Sequence, residues 1–233
     1  MRFHDRREAG QRLARALQRY RGRPDTIVLG LPRGGVVPAA EISAALGLPL
    51  DVIVSRKIGA PDNPELAIGA IAEGGEPHLN ADVVALTGAS SDYVAKAVER
   101  QRLEIARRQQ RFRQGRPLVL PEQATVILVD DGVATGATVI AAIPALRRQG
   151  IERLVLAIPV APPDTAETLR GMVDELVVLA TPAMFWAVGA HYDEFEQVSD
   201  EEVLTLLVEA AAAGRALVQP AAGGGTARER KKR

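Results

Sequence analysis

Apolar residues in this chain fall into short runs separated by amphipathic stretches, and the two periods alternate. Residues 5–19 carry Ala9, Leu13 and Leu17, continued by Tyr20, at helical spacing behind an Asp-x-x-Glu pair, Asp5 and Glu8, which predicts a capped first helix. Six apolar runs at 26–31, 50–55, 67–72, 125–129, 153–160 and 174–179 carry β-branched residues and are bounded by Gly or Pro, so each predicts a strand. Helical spacing returns at 37–46, 137–149 and 164–172, and at 199–213 behind a second capping pair, Ser199 and Glu202. Strands apolar on both faces and separated by helices belong to a parallel sheet covered on both sides. The predicted fold class is α/β, a doubly wound parallel sheet. A long polar helix starting near Ser91 interrupts it within 81–116. The folded domain is expected to span 1–212, leaving 213–233, Gly-rich and then basic, as a disordered tail.

Composition removes several function classes. Lys and Arg number 29 and so do Asp and Glu, so no global field draws the chain to nucleic acid or membrane, and anion binding has to be local. There is no cysteine, which excludes disulfides and thiolate zinc sites and fits a reducing compartment. No apolar run approaches the roughly 20 residues of a membrane span, and the first residues, MRFHDRREAG, lack the apolar region of a signal peptide. A soluble, cytoplasmic protein is expected.

The chemistry concentrates in ILVDDGVATGAT, residues 127–138. The strand at 125–129 runs into Asp130 and Asp131, then into a small-residue turn, then into the helix expected from Ala137. Ligands bind at that end of strands in open parallel sheets. Gly132 and Gly136 let backbone approach a ligand, and N–H groups at the helix start, with the hydroxyls of Thr135 and Thr138, form an anion cradle. The Lys of a P-loop and the GxGxxG fingerprint are both absent. Both carboxylates can reach one sugar where the pleat ends, so acid beside a phosphate cradle describes a ribose carrying a phosphate. A solvated strand end followed by a helix cap is the alternative.

Val129-Asp130-Asp131 followed by Ala134-Thr135-Gly136-Ala137-Thr138 resembles the phosphoribosyl diphosphate (PRPP) signature of type I phosphoribosyltransferases. Gly132 stands where that family more often has an aliphatic residue. The resemblance implies that Asp130 and Asp131 hold the ribose hydroxyls and that Ala134, Thr135, Gly136, Ala137 and Thr138 hold the 5′-phosphate. Pro32-Arg33-Gly34-Gly35, after the first strand, resembles the family's pyrophosphate loop, with Arg33 as a bidentate phosphate partner and a cis peptide at Pro32-Arg33. A plain Gly-rich turn would read the same. Arg56 and Lys57, followed by Gly59, Pro61, Asn63 and Pro64, resemble the family's Arg-Lys pair at the head of a mobile loop that closes over the sugar. Ordinary exposed charges are the alternative there. Asp62 and Glu65 are candidate proton acceptors.

The family fold adds a small variable hood to the sheet, here assigned to about 81–116, with its inserted long helix, and to 182–198. Phe185 and Trp186, with Tyr192 nearby, are candidates for stacking on a base, or else a satellite core; His191 is a candidate proton handler. Ala134 replaces the acid that precedes Thr-Gly in the hypoxanthine-guanine branch, so the chain looks more like the adenine and uracil branches there. It also resembles a branch with nearly the same run as Arg56 to Pro61. The implied activity is transfer of 5-phosphoribosyl from PRPP to a nitrogenous base, with magnesium arriving largely on PRPP and no direct protein metal ligand assigned; a homodimer is left open. The alternatives are a silent PRPP-binding regulator, for which Arg100, Arg102, Arg107, Arg108, Arg111, Arg113 and Arg116 would meet nucleic acid, and an oxidoreductase. Interleaved acids make a solvated helix face the preferred reading of those arginines, and the missing GxGxxG disfavours the oxidoreductase.

Overall fold

The computed structural model describes residues 1–214; the expected tail lies, from residue 215 onward, outside the described residues. The chain opens with α1 (Arg6–Ala16), whose N-cap Asp5 accepts from the Glu8 backbone N–H, as its capping pair predicts. The helix stops earlier than its periodicity suggests and tightens into a 3₁₀ turn, Gln18–Tyr20.

A five-stranded sheet follows from β1 (Thr26–Gly30), β2 (Leu50–Val52), β6 (Thr125–Val129), β7 (Arg153–Val160) and β8 (Glu175–Ala180). Its order is β2-β1-β6-β7-β8 and every pairing is parallel. Strand alternation splits the core in two. Ile27, Leu29, Val126, Leu128, Leu154 and Leu156 point to one face, under α5 (Ala137–Arg147) and α6 (Pro163–Arg170). Val28, Ile127, Val129, Val155 and Ala157 point to the other, under α1 and α2 (Val36–Leu46). This is the expected doubly wound arrangement, and each face removes its apolar side chains from water.

One predicted strand, and the end of another, belong elsewhere. The run at 50–55 divides, because after Val52 the chain leaves the parallel sheet and enters β3 (Ser55–Gly59). β4 (Ala67–Ala72) pairs antiparallel with β3, and β5 (His78–Leu79) pairs antiparallel with β4, making a separate three-stranded sheet. An apolar run reports burial on both faces without naming the sheet that buries it, so the pattern alone does not distinguish the two sheets. Nor is the segment after Lys57 an open loop, since Ala60 N–H donates to Leu66 O at 2.9 Å and Leu66 N–H to Asn63 O at 3.0 Å.

The small sheet carries α3 (Ala81–Thr87) and α4 (Ser91–Arg113), with α7 (Asp200–Ala212) alongside, and Ile58, Ile68, Ile71, Ala97, Ile105, Phe112 and Val203 form their shared core. The solvated reading of the α4 arginines fails at its inner face. Arg113 is 3 % exposed and pairs with Glu73, itself 5 % exposed. Arg108 is largely covered and pairs with Glu104 at 2.8 Å. The second expected hood element, 182–198, docks on the chain's start. Phe3 bridges Tyr192, and Phe3, Ala9, Val160 and Tyr192 form a small core of their own.

Candidate active site

Parallel pairing sets Gly30 beside Val129, so the turns that follow β1 and β6 emerge side by side at one edge of the sheet. The turn at 32–35 contains a cis peptide between Pro32 and Arg33. It lies against the acidic turn so closely that only glycine fits. A methyl on Gly35 would stand 2.7 Å from the Val129 carbonyl oxygen and 2.8 Å from the Asp130 Cα, and one on Gly34 would collide with the Asp131 carboxylate. The two motifs separated by about a hundred residues are thus one surface.

The run after Asp131 becomes the start of α5. Gly136 is its N-cap with φ of +80°, and no side chain caps the helix, so its first backbone N–H groups face outward without an intrahelical acceptor. Thr165 of α6 holds the turn by donating to the Ala134 carbonyl at 2.8 Å. Gly132 has φ of +152°, and a methyl there would collide with Val188 Cγ1. Val188 therefore closes the space beside Gly132.

A cavity of about 540 Å³ opens in front of this run, lined by Asp130, Gly132 and the whole loop Ala134, Thr135, Gly136, Ala137 and Thr138. Lys57, Ala70 and His78 from the small sheet, Glu65 from the β3–β4 connection, and Asn80 and Val83 at the start of α3 form the facing wall, with Val188 at the side. Cross-strand register explains part of this wall: Lys57 and His78 both lie opposite Ala70, so the three share one face. His78, Asn80 and Val83 were missed from sequence because nothing in a polar connection of that kind marks it as a wall.

The expected site residues do not all converge. Lys57 reaches the cavity and pairs with Glu65 at 2.6 Å, but Arg56 points from the opposite face of β3 toward α4, donating to Gln101 at 3.2 Å. Burial, and then the nearby Arg108, push the Arg56 guanidinium below its ordinary pKa. Arg33 lies 3.8 Å from Asp200 at the start of α7. Phe185 stacks on His191 with centroids 5.2 Å apart, Trp186 is 88 % exposed, and neither lines the cavity. Burial also lowers the His191 pKa.

The two carboxylates have different further partners. Asp130 lines the cavity and accepts from the Asp131 N–H at 2.9 Å; burial and then the charge of Asp131 push its carboxyl well above the usual range. Asp131 also pairs with the Nε of Arg6 at 2.6 Å. Tyr192 donates its hydroxyl to the Asp131 carbonyl, and burial followed by the Asp131 charge pushes that phenol up. Arg6 carried no sequence signal, being one of many charged residues on an amphipathic helix.

A helix start with outward N–H groups, a cavity-facing carboxylate and a glycine turn around Arg33 thus lie along one sheet edge, and comparisons with known proteins show the family to which that edge belongs. A family model described as a phosphoribosyl transferase domain matches residues 3–194. A curated Mycobacterium tuberculosis relative, named "Putative phosphoribosyl transferase" in two strains, is 48% identical over 207 residues. That match covers 88% of this chain and 46% of the relative, so the chain spans about half the length of the curated relatives it matches. The crystal structure of TT1426 from Thermus thermophilus superposes with a TM-score of 0.74 at 47% identity, covering 90% of this chain and 99% of that one. From Phe3 to Glu194, where sheet, acidic turn and helix start all lie, this chain belongs to the phosphoribosyl transferase domain family.

Proposed function

We propose that the chain is a PRPP-dependent phosphoribosyltransferase that moves the 5-phosphoribosyl group to a nitrogenous base and releases pyrophosphate. The observation that carries this reading is the meeting of the 32–35 turn with the Asp130 to Thr138 run at one sheet edge. The 5′-phosphate would sit at the α5 N-terminus, where outward N–H groups and the Thr135 and Thr138 hydroxyls offer donors to an anion. Asp130 would accept from the ribose, and the pyrophosphate would lie against Arg33 and the N–H groups of Gly34 and Gly35.

Magnesium, on this reading, enters with PRPP as part of the substrate. The C1′–O bond breaks with its electron pair leaving on pyrophosphate, and the acceptor nitrogen forms the C1′–N bond from the opposite face of the sugar, its proton passing to the released pyrophosphate. Positive charge on the ribosyl ring needs a carboxylate nearby and little free water. Asp130 provides the first, and the β3–β4 hairpin, bringing Lys57 over the same cavity, restricts the second. The acceptor would lie between the helix start and the wall of Ala70, Val83 and Val188, with His78 and Asn80 as its polar contacts.

The test is pyrophosphate release from magnesium PRPP across a panel of purines, pyrimidines and orotate. One acceptor supporting turnover is the expected result. No release with any base, by protein that binds PRPP, would favour the silent regulator.

A further inference from the structure

Asn80 stands where β5 gives way to α3, and two backbone contacts fix it. Its N–H donates to the Ile68 carbonyl of β4 at 2.9 Å, and its side-chain Oδ1, as the N-cap of α3, accepts from the Val83 N–H at 3.2 Å. We infer that Asn80 sets acceptor specificity, its amide NH2 selecting a base whose ring bears a carbonyl oxygen over one with an amino group at the same place. The inference rests on the phosphoribosyl reading above and names the acceptor class which that reading leaves open.

The cavity has a direction. On that reading the loop at 134–138 takes the 5′-phosphate and Asp130 the ribose, while Arg33, Gly34 and Gly35, assigned to the diphosphate, do not line it. The wall left for the acceptor is therefore the one that carries His78, Asn80 and Val83. Its polar groups differ in what they can read. Lys57 is already matched by Glu65 at 2.6 Å. His78, when neutral, carries one N–H and one lone pair, so its ring can face either a donor or an acceptor. Asn80 lacks that freedom. Turning its amide over would set NH2 against the Val83 N–H, donor against donor, and leave α3 uncapped. The oxygen is thus committed to the helix, and the NH2, which donates to no protein group among the described residues, remains for a ligand. Such a donor is satisfied by a carbonyl oxygen and finds no good acceptor in a ring amino group.

Product nucleotides test this without requiring turnover. Inosine and adenosine 5′-monophosphates place a carbonyl or an amino group at the same ring position, as do uridine and cytidine 5′-monophosphates. All four are titrated calorimetrically into the parent, Asn80→Asp and Asn80→Ser. Both substitutes keep an N-cap oxygen for Val83, so the three proteins should melt alike. Ribose 5-phosphate, which has no base, is the control against which each affinity is taken, so the added charge of Asn80→Asp does not enter the comparison. The parent is expected to bind the carbonyl member of a pair about tenfold more tightly than the amino member. Asn80→Asp, an acceptor in place of the donor, should reverse that order, and Asn80→Ser should bring the ratio close to one. A parent that favours the amino member or neither, or an order unchanged in Asn80→Asp, overturns the role of Asn80, while ribose 5-phosphate binding keeps the phosphoribosyl reading in place. A parent that binds neither ribose 5-phosphate nor PRPP nor any of the four nucleotides rejects both together.

Discussion

At Gly132 an absent side chain decides how two distant segments meet. The backbone there holds φ of +152°, and Val188 Cγ1 occupies the space a Cβ would need. Gly132→Ala is therefore expected to destabilise by about 1–3 kcal/mol through overpacking, and Val188→Ala in the same chain should recover part of it. Urea denaturation of both variants checks this; an additive loss would mean that the contact is not the cause. Asp130 gives a second prediction. Its folded pKa is raised, so its contribution to stability is fully present below the unfolded pKa of about 3.9 and is lost as pH rises through the folded value. Asp130→Asn should therefore gain melting temperature relative to the parent as pH rises from about 4 to about 7. A gap that narrows over that range would contradict the burial of this carboxyl.

At the scale of elements, the small sheet and α4 are fastened by a buried pair. Glu73 follows β4, Arg113 ends α4, and burial pushes the Glu73 carboxyl up against the opposing pull of Arg113. Gln109 adds a hydrogen bond to Glu73 at 3.0 Å. Removing one partner leaves a shielded charge, so Arg113→Ala should cost about 3–5 kcal/mol, whereas Arg113→Met with Glu73→Leu should recover most of it. Equal losses in the single and double variants, measured by chemical denaturation, would show that the pair does not hold the element. This network was hidden in sequence because Arg113 is one of seven arginines on or beside a helix whose acids interleave with them. Periodicity placed the helix, but a charged residue facing inward looks the same in sequence as one facing water. The small sheet was hidden for a related reason: Ala67 to Ala72 is apolar throughout, and its antiparallel partner β3 continues an apolar run that already had a home beside β1.

At the scale of the molecule, the parallel sheet and its site edge were legible because the strand-turn-helix units around 32–35 and 130–138 each carry their own local signal. What linked them, and what faces them across the cavity, was not. Contacts such as Arg6 with Asp131 or Val188 with Gly132 join segments far apart in sequence and chosen only by the completed fold. The same completed fold bears on the nucleic-acid alternative. Arg102, Arg107, Arg108, Arg111 and Arg113 all have carboxylate partners, so α4 presents little unpaired positive charge. No shift of single-stranded or duplex nucleic acid is expected at about 50 mM salt, where electrostatic binding is strong. A salt-sensitive shift would restore the regulator.

On the proposed function, the turn around Arg33 and the loop ending at Thr138 together grip one PRPP molecule. A crystal of the chain soaked with magnesium PRPP tests it most directly. The 5-phosphate is expected at the α5 N-terminus and the diphosphate against 32–35, with the ribose between them at Asp130. A PRPP molecule bound elsewhere, or none bound with both turns open to solvent, would contradict it.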